Sequence, residues 1–171
     1  MKRILAMTLA LLLLLPVFSG CSAKEETAAP IELSLTELVD KIYEIKDPGI
    51  GVMTIPVDLS DAAALKSYTG LDSADDITEA VASEAAISAQ AYSMVLVRLK
   101  DAANAASVAE AMKSGIDQRK WICVEADDLR VVACGDVVLL IMVSSELSDS
   151  VTADSIVDAF ASACGRPLDI E

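Results

Sequence analysis

Histidine is absent from all 171 residues. That excludes Ser-His-Asp and Cys-His catalysis, histidine-ligated zinc and imidazole pH sensing together. Aromatic residues make up 4% of the chain. Beyond residue 20 they are Tyr43, Tyr68, Tyr92, Trp121 and Phe160, too few for a stacking platform for sugars or nucleobases. Positive charge is scarce: 13 Lys and Arg stand against 27 Asp and Glu, a formal net charge of −14. Such a chain is repelled by phosphate backbones and anionic headgroups, so no nucleic-acid partner is expected. No C-x-x-C, S-x-x-K, G-x-S-x-G or D-x-D-x-D-G pattern occurs. No catalytic residue, metal-ligand set or cofactor is therefore expected.

What the chain does have begins at its first residues. Met1-Lys2-Arg3 is a positive leader, and Ile4 to Phe18 is an almost unbroken apolar run of 15 residues. A helix crossing the hydrocarbon core needs about 20, so the run reads as a secretory signal and not as a membrane span. Pro16 breaks the helix and leaves extended backbone before Val17-Phe18-Ser19-Gly20-Cys21. Small residues directly before a cysteine resemble the lipobox of bacterial lipoproteins, although Phe18 stands where that family most often has Leu. The resemblance implies a diacylglyceryl group on the Cys21 thiol and cleavage on its N-terminal side. The expected organisation is a signal peptide over 1–20, lipidated Cys21 with a flexible tether over 21–33, and a single domain over 34–171. Membrane lipid is then a partner through acylated Cys21, and the domain sits on the extracytoplasmic face of the cell membrane. Two acyl chains at about 0.8 kcal/mol per buried methylene hold firmly. The competing reading is ordinary secretion with cleavage after Ala23.

Removing residues 1–20 leaves 151 residues with a charge of −16, because Lys2 and Arg3 go and no acid does. That length suits one domain with a real core. Cys123, Cys134 and Cys164 remain, an odd number. One disulfide with one free thiol fits the count, as do three reduced, buried thiols; the preferred reading is small apolar core residues.

Along the mature chain, Ser34 and Glu37 form an S-x-x-E capping box for a helix burying Leu35, Leu38, Val39, Ile42 and Ile45. Asp47-Pro48-Gly49 ends it. Gly51 to Leu59 reads as an edge strand or irregular segment because it contains Pro56. Ser60-Asp61 caps a short helix that stops at Gly70. Ile77 to Ile87 fits either a helix or the first arm of a hairpin, with the hairpin preferred since Ser93 to Leu99 is a strand needing a partner. Asp101 opens an alanine-rich helix with Ala105, Val108, Met112 and Ile116 inward. Trp121 to Val124 reads as a short connecting strand or turn. Leu129–Ala133 and Val137–Val143 flank Cys134-Gly135-Asp136 as a second hairpin. The second arm is apolar on both faces, hence central and covered on at least one side. A last helix spans Thr152 to Cys164, with Ile156, Val157, Phe160 and Ala163 inward and Gly165 and Pro167 ending it. The fold class expected is α+β, an antiparallel sheet built from hairpins with helices packed on one face.

This order of elements, with Asp58-Leu59-Ser60-Asp61 leading to Leu65-Lys66-Ser67-Tyr68-Thr69-Gly70-Leu71 and a hairpin around Gly135 and Asp136, resembles a family of small lipoproteins of unknown function from Gram-positive bacteria. The resemblance covers most of residues 35–164 and implies fold and location, with no activity or site residue attached.

Two clusters stand out as candidate sites. Asp72, Asp75, Asp76 and Glu79 are dense enough in oxygen to suggest calcium, but without the loop pattern a solvated turn is the simpler reading. Gln118-Arg119-Lys120-Trp121 is the one place where two cations meet an aromatic, a candidate surface for an anionic polymer. The simpler reading there is Trp121 under the sheet, with Arg119 and Lys120 decorating a helix end. The function expected is that of a non-catalytic module binding an envelope protein or wall component, the alternative being a small-ligand or metal-binding lipoprotein.

Overall fold

The computed structural model describes residues 29–147 and 151–170. The expected signal peptide, Cys21 and most of the tether lie outside the described residues.

The first helix, α1 (Leu35–Ile45), begins where the capping box places it. The Glu37 amide donates to Ser34 Oγ at 3.3 Å and the Ser34 amide to Glu37 Oε2 at 2.9 Å. Leu35, Leu38, Val39 and Ile42 are buried, whereas Ile45 is 49% exposed. At 3.6 residues per turn Ile45 lies roughly 80° from Leu35, at the margin of the stripe. Strand β1 (Val52–Pro56) follows, then α2 (Ala62–Thr69), capped by Asp61 through the amides of Ala63 and Ala64. The segment that fitted either helix or hairpin is strand β2 (Ile77–Ala85), paired antiparallel with β3 (Tyr92–Leu99). A short 3-10 turn over Ala102–Asn104 leads into α3 (Ala105–Gly115). Strands β4 (Asp128–Cys134) and β5 (Val137–Val143) form the second hairpin, and α4 (Ala153–Cys164) closes the order. Gly135, at φ 63°, supplies the positive φ that a two-residue turn requires at its first position.

The sheet runs β1-β2-β3-β5-β4 and every neighbouring pair is antiparallel. Pro56, which cannot donate to a ladder, stands on the edge strand β1. At the other edge the C-terminal segment folds back, and Ile170 bridges Ala133 of β4.

The α+β class and the hairpin-built sheet are as expected, but the helices cover both faces, not one alone. On one face Tyr92, Met94 and Leu96 of β3 and Leu139 and Ile141 of β5 pack with α1 and α4. On the other, Val95 and Val97 of β3 and Val138, Leu140 and Met142 of β5 pack with α2 and α3. The reason lies in β5, where all seven residues are buried. Leaving Val138, Leu140 and Met142 open to water would forfeit roughly 1.5–3 kcal/mol for each. The second pair of helices meets closely at its C-terminal ends. A Cβ on Gly70 (φ 76°) would fall 2.6 Å from the Ile116 amide nitrogen, and one on Gly115 would strike the Gly70 carbonyl.

Candidate functional site

The chain leaves α3 at Gly115 and returns to the sheet only at Asp128. Within that connection the Ala126 amide donates to the Gln118 carbonyl at 2.9 Å, and Gln118 Nε2 donates to the Ala126 carbonyl at 2.9 Å. These reciprocal bonds bring the ends of 118–126 together, which makes it a compact Ω-type loop. Its base is held by Asp127, whose carboxylate accepts from the Ser145 amide at 2.7 Å and from Ser145 Oγ at 2.6 Å. Those two bonds from Ser145 lower the Asp127 pKa below the ordinary carboxylate value.

Lys120 ties the loop to the sheet. Its Nζ lies 2.7 Å from Glu84 Oε1 and 3.2 Å from Ser93 Oγ, and Ser93 Oγ donates to the same Glu84 oxygen at 2.6 Å. The ammonium nitrogen also stands 5.3 Å from the ring centroids of both Tyr68 and Trp121. Glu84 and Ser93 are register partners on β2 and β3. With the Lys120 and Glu84 side chains only 14% and 13% exposed, this is a largely covered pair and not a surface one. A serine beside a lysine invites comparison with nucleophile–base pairs. Ser93 is 0% exposed and its hydroxyl already donates to Glu84, so no substrate carbonyl reaches it. The cluster positions the loop.

What the loop presents is a cleft of about 560 Å³. Trp121, Cys123 and Val124 line it from the loop, and Ser144 and Glu146 line it from the segment after β5. Arg119 pairs with Glu125 at 3.0 Å, and both also line the cleft. Asp127 is the third carboxylate there beside Glu125 and Glu146, so the lining holds three acids and one guanidinium. Ile122, between Trp121 and Cys123, is 76% exposed. Cys123 adopts φ 67°, a left-handed conformation that costs a non-glycine residue about 1–2 kcal/mol.

The cluster Gln118-Arg119-Lys120-Trp121 is therefore brought together, but with altered roles. Lys120 turns inward and does not decorate a helix end, since α3 stops at Gly115. Trp121 packs at the margin of the core on the α2–α3 face. Glu84, Ser93 and Asp127 were not anticipated. Glu84 did carry a signal: it follows Ala80 and Ala82 on one face of β2, so an acid stands at an inward position.

The acidic cluster does not converge. Asp72 pairs with Lys66 at 2.8 Å, Asp76 accepts from Asn104 Nδ2 at 2.9 Å, and Glu79 faces Arg98 at 3.6 Å. Among the described residues no three Cys, Asp or Glu side chains gather where they would hold a metal ion. The cysteines differ in exposure: Cys123 is exposed, Cys134 buried and Cys164 intermediate, so they are not three buried thiols. No family model, no curated protein and no solved structure matches this chain.

Proposed function

We propose that the chain is a lipoprotein, anchored through Cys21 on the outer side of the cytoplasmic membrane, whose domain binds a protein of the cell envelope and catalyses no reaction. The observation that carries this reading is the polarity of the domain. The Ile31 amide donates to Asp136 Oδ1 at 2.7 Å, and Arg98 Nη1 donates to the Ile31 carbonyl at 2.9 Å. The chain thus joins the domain beside the β4–β5 turn. The cleft borders Ser144, just past the far end of β5. Seven residues of strand separate the two ends, roughly 20 Å at about 3.4 Å per residue. A domain tethered by its N-terminal segment would hold the cleft away from the lipid, where a partner has access.

The charge of the cleft argues for the kind of partner. Three carboxylates against one guanidinium disfavour an anionic wall polymer and favour a basic segment. Exposed Ile122 and the partly covered Trp121 add apolar contact of the kind found at binding hot spots.

The test has two arms. Metabolic labelling with an alkyne fatty acid should mark the wild-type chain and leave Cys21→Ala unlabelled; label retained by the variant overturns the anchor. A photo-crosslinking residue at position 122 should give a discrete adduct in intact cells, weakened by Trp121→Ala, that the same residue at position 110 on α3 does not give. Equal adducts at both positions, or none, overturn the binding reading. A second reading has its own support: about 560 Å³ lies in the range of small-molecule sites. A melting shift with a cationic metabolite, abolished by Glu125→Gln, would favour it.

A further inference from the structure

Among the described residues, four large hydrophobic side chains are left exposed: Ile45, Met53, Ile87 and Ile122. A single apolar residue on a surface is ordinary, but these four share one end of the sheet. Ile122 follows Lys120 by two positions, and Lys120 Nζ lies 2.7 Å from Glu84 Oε1. Met53 is the register partner of Glu84 on the edge strand β1. Opposed residues of an antiparallel pair point to the same face with Cβ atoms about 5 Å apart, so Met53 stands beside the Lys120–Glu84 pair. Ile87 comes three positions after Glu84, next to Ala86, whose amide donates to the Gly51 carbonyl at 2.8 Å. Ile45 ends α1, whose start is held at the opposite end of the sheet, where Arg98 donates to the Leu33 carbonyl.

We propose that the cleft is one half of a longer docking surface, continued from Ile122 to Met53 and Ile87, and that its occupant is a protein segment carrying both basic and large apolar side chains. This rests on the binding reading given above and extends its footprint beyond the cleft. The apolar half comes from three segments distant in sequence: β1, the β2–β3 loop and the 118–126 loop. The Lys120 tie to Glu84 brings them side by side. The acidic half is the cleft, with Glu125, Asp127 and Glu146 in its lining. Three strand spacings separate β5, whose far end borders the cleft, from β1. At about 4.8 Å each they make a surface roughly 14 Å across, the length of a helix of about ten residues.

Charge and polarity together select the occupant. A second copy of this end would set acid against acid, and an anionic bilayer would be repelled in the same way. A wholly apolar segment would cover the cleft carboxylates without pairing them, which is costly. A wholly basic one would leave Met53 and Ile87 in water. A segment with both kinds of side chain satisfies both halves. Lys120 does not oppose it, because its ammonium is already matched by Glu84.

The test places a photo-crosslinking residue in turn at 53, 87 and 122 of the full chain in intact cells and sequences the captured peptide. All three positions are exposed, so the substitutions leave the core untouched. The expected result is one partner at all three positions, captured within a single stretch that holds Lys or Arg together with large apolar residues. Capture at 122 but not at 53 or 87 overturns the longer surface and leaves the binding reading standing. No capture at any position overturns both. A captured peptide from a second copy of this chain, a lipid adduct or an acidic stretch overturns the assigned occupant. A defined probe gives a second measurement with the full chain carrying Cys21→Ala. A peptide of about 14 residues, Leu and Lys in equal number, should bind wild type about fivefold more tightly than Met53→Ser or Ile87→Ser. Its affinity should also fall as salt rises. Equal binding to all three chains overturns the apolar half, and equal binding of a peptide with Glu in place of Lys overturns the acidic half.

Discussion

Arg98 Nη1 and Asp136 Oδ2 lie 2.8 Å apart, and together they hold the entry of the chain into the domain. Arg98 also donates to the carbonyls of Ile31 and Leu33, while Asp136 accepts from the Ile31 amide. Residues 31–33, expected to belong to the tether, are thereby held against the domain. Both charged side chains are largely covered, at 18% and 13% exposure. Arg98→Ala should therefore cost about 3 kcal/mol in urea unfolding, because it leaves a covered carboxylate unpaired. It should also open residues 29–34 to limited proteolysis while leaving the cleft loop resistant. Cleavage rates equal to wild type would show that these contacts do not hold the segment.

The lysine tie makes a spectroscopic prediction, because Trp121 is the only tryptophan. Lys120→Met keeps much of the aliphatic stem but removes the charge between Glu84 and two aromatic rings. The loss expected is about 3 kcal/mol, with a red shift of Trp121 emission in the folded state as the loop loosens. A double-mutant cycle with Glu84→Gln should return a coupling of about 1–3 kcal/mol. Unchanged emission together with zero coupling would mean that the loop is held by other contacts.

Two glycines with nearly the same backbone conformation should respond differently to alanine. Gly165 and Gly70 have φ 69° and 76°, but a Cβ on Gly165 meets nothing within 4 Å, whereas one on Gly70 falls 2.6 Å from Met112 O. Gly165→Ala should cost only the left-handed penalty, about 1 kcal/mol. Gly70→Ala should cost about 2 kcal/mol more, as α3 must move away from α2. Equal losses in chemical denaturation would contradict the close approach of the two helix ends.

The alkaline limit of stability should depend on a pair of tyrosines. The Tyr43 hydroxyl donates to Ser83 Oγ at 2.7 Å and lies 3.1 Å from the Tyr92 hydroxyl. Burial raises the pKa of both phenols, and Tyr92 rises well above its ordinary value. The fold thus holds these protons more tightly than the unfolded chain does. That stability is fully present below about pH 10 and is lost as the pH climbs from there through the folded values. Tyr92→Phe should cost about 1 kcal/mol at pH 8 through the lost hydrogen bond. It should also flatten the decline of melting temperature above pH 10. A decline as steep as that of wild type would place the alkaline sensitivity elsewhere.

Features specified by neighbouring residues were legible in the sequence. Ser34 with Glu37, Asp61 ahead of Ala63 and Ala64, Gly70, Gly165 and the Gly135-Asp136 turn all act within a few positions of where they stand. The second arm of the β4–β5 hairpin already required burial on at least one face, through its unbroken apolar run. What escaped depends on residues distant in sequence. Lys120 reads as a surface cation until Glu84 and Ser93, 36 and 27 positions away, are brought beneath it. The ambiguity of 77–87 came from Ile77, Val81 and Ala85, which recur at a spacing that also fits one face of a helix. Pairing with β1 on one side and β3 on the other overrides that alternative. The coverage of both sheet faces was hidden because α2 is short, burying only Leu65 and Thr69, and α3 is alanine-rich, with the small Ala105 and Ala109 among the residues it buries.

Each margin of the sheet is interrupted at one point. Pro56 interrupts the donor row of β1, and Ile170 already occupies Ala133 on β4. Proteins held on a two-dimensional surface meet their own copies far more often than proteins free in solution. An open strand margin under such crowding would recruit its neighbours into ribbons. Under the anchoring proposed above, the interruption at Pro56 and the bridge at Ala133 would work against such ribbons.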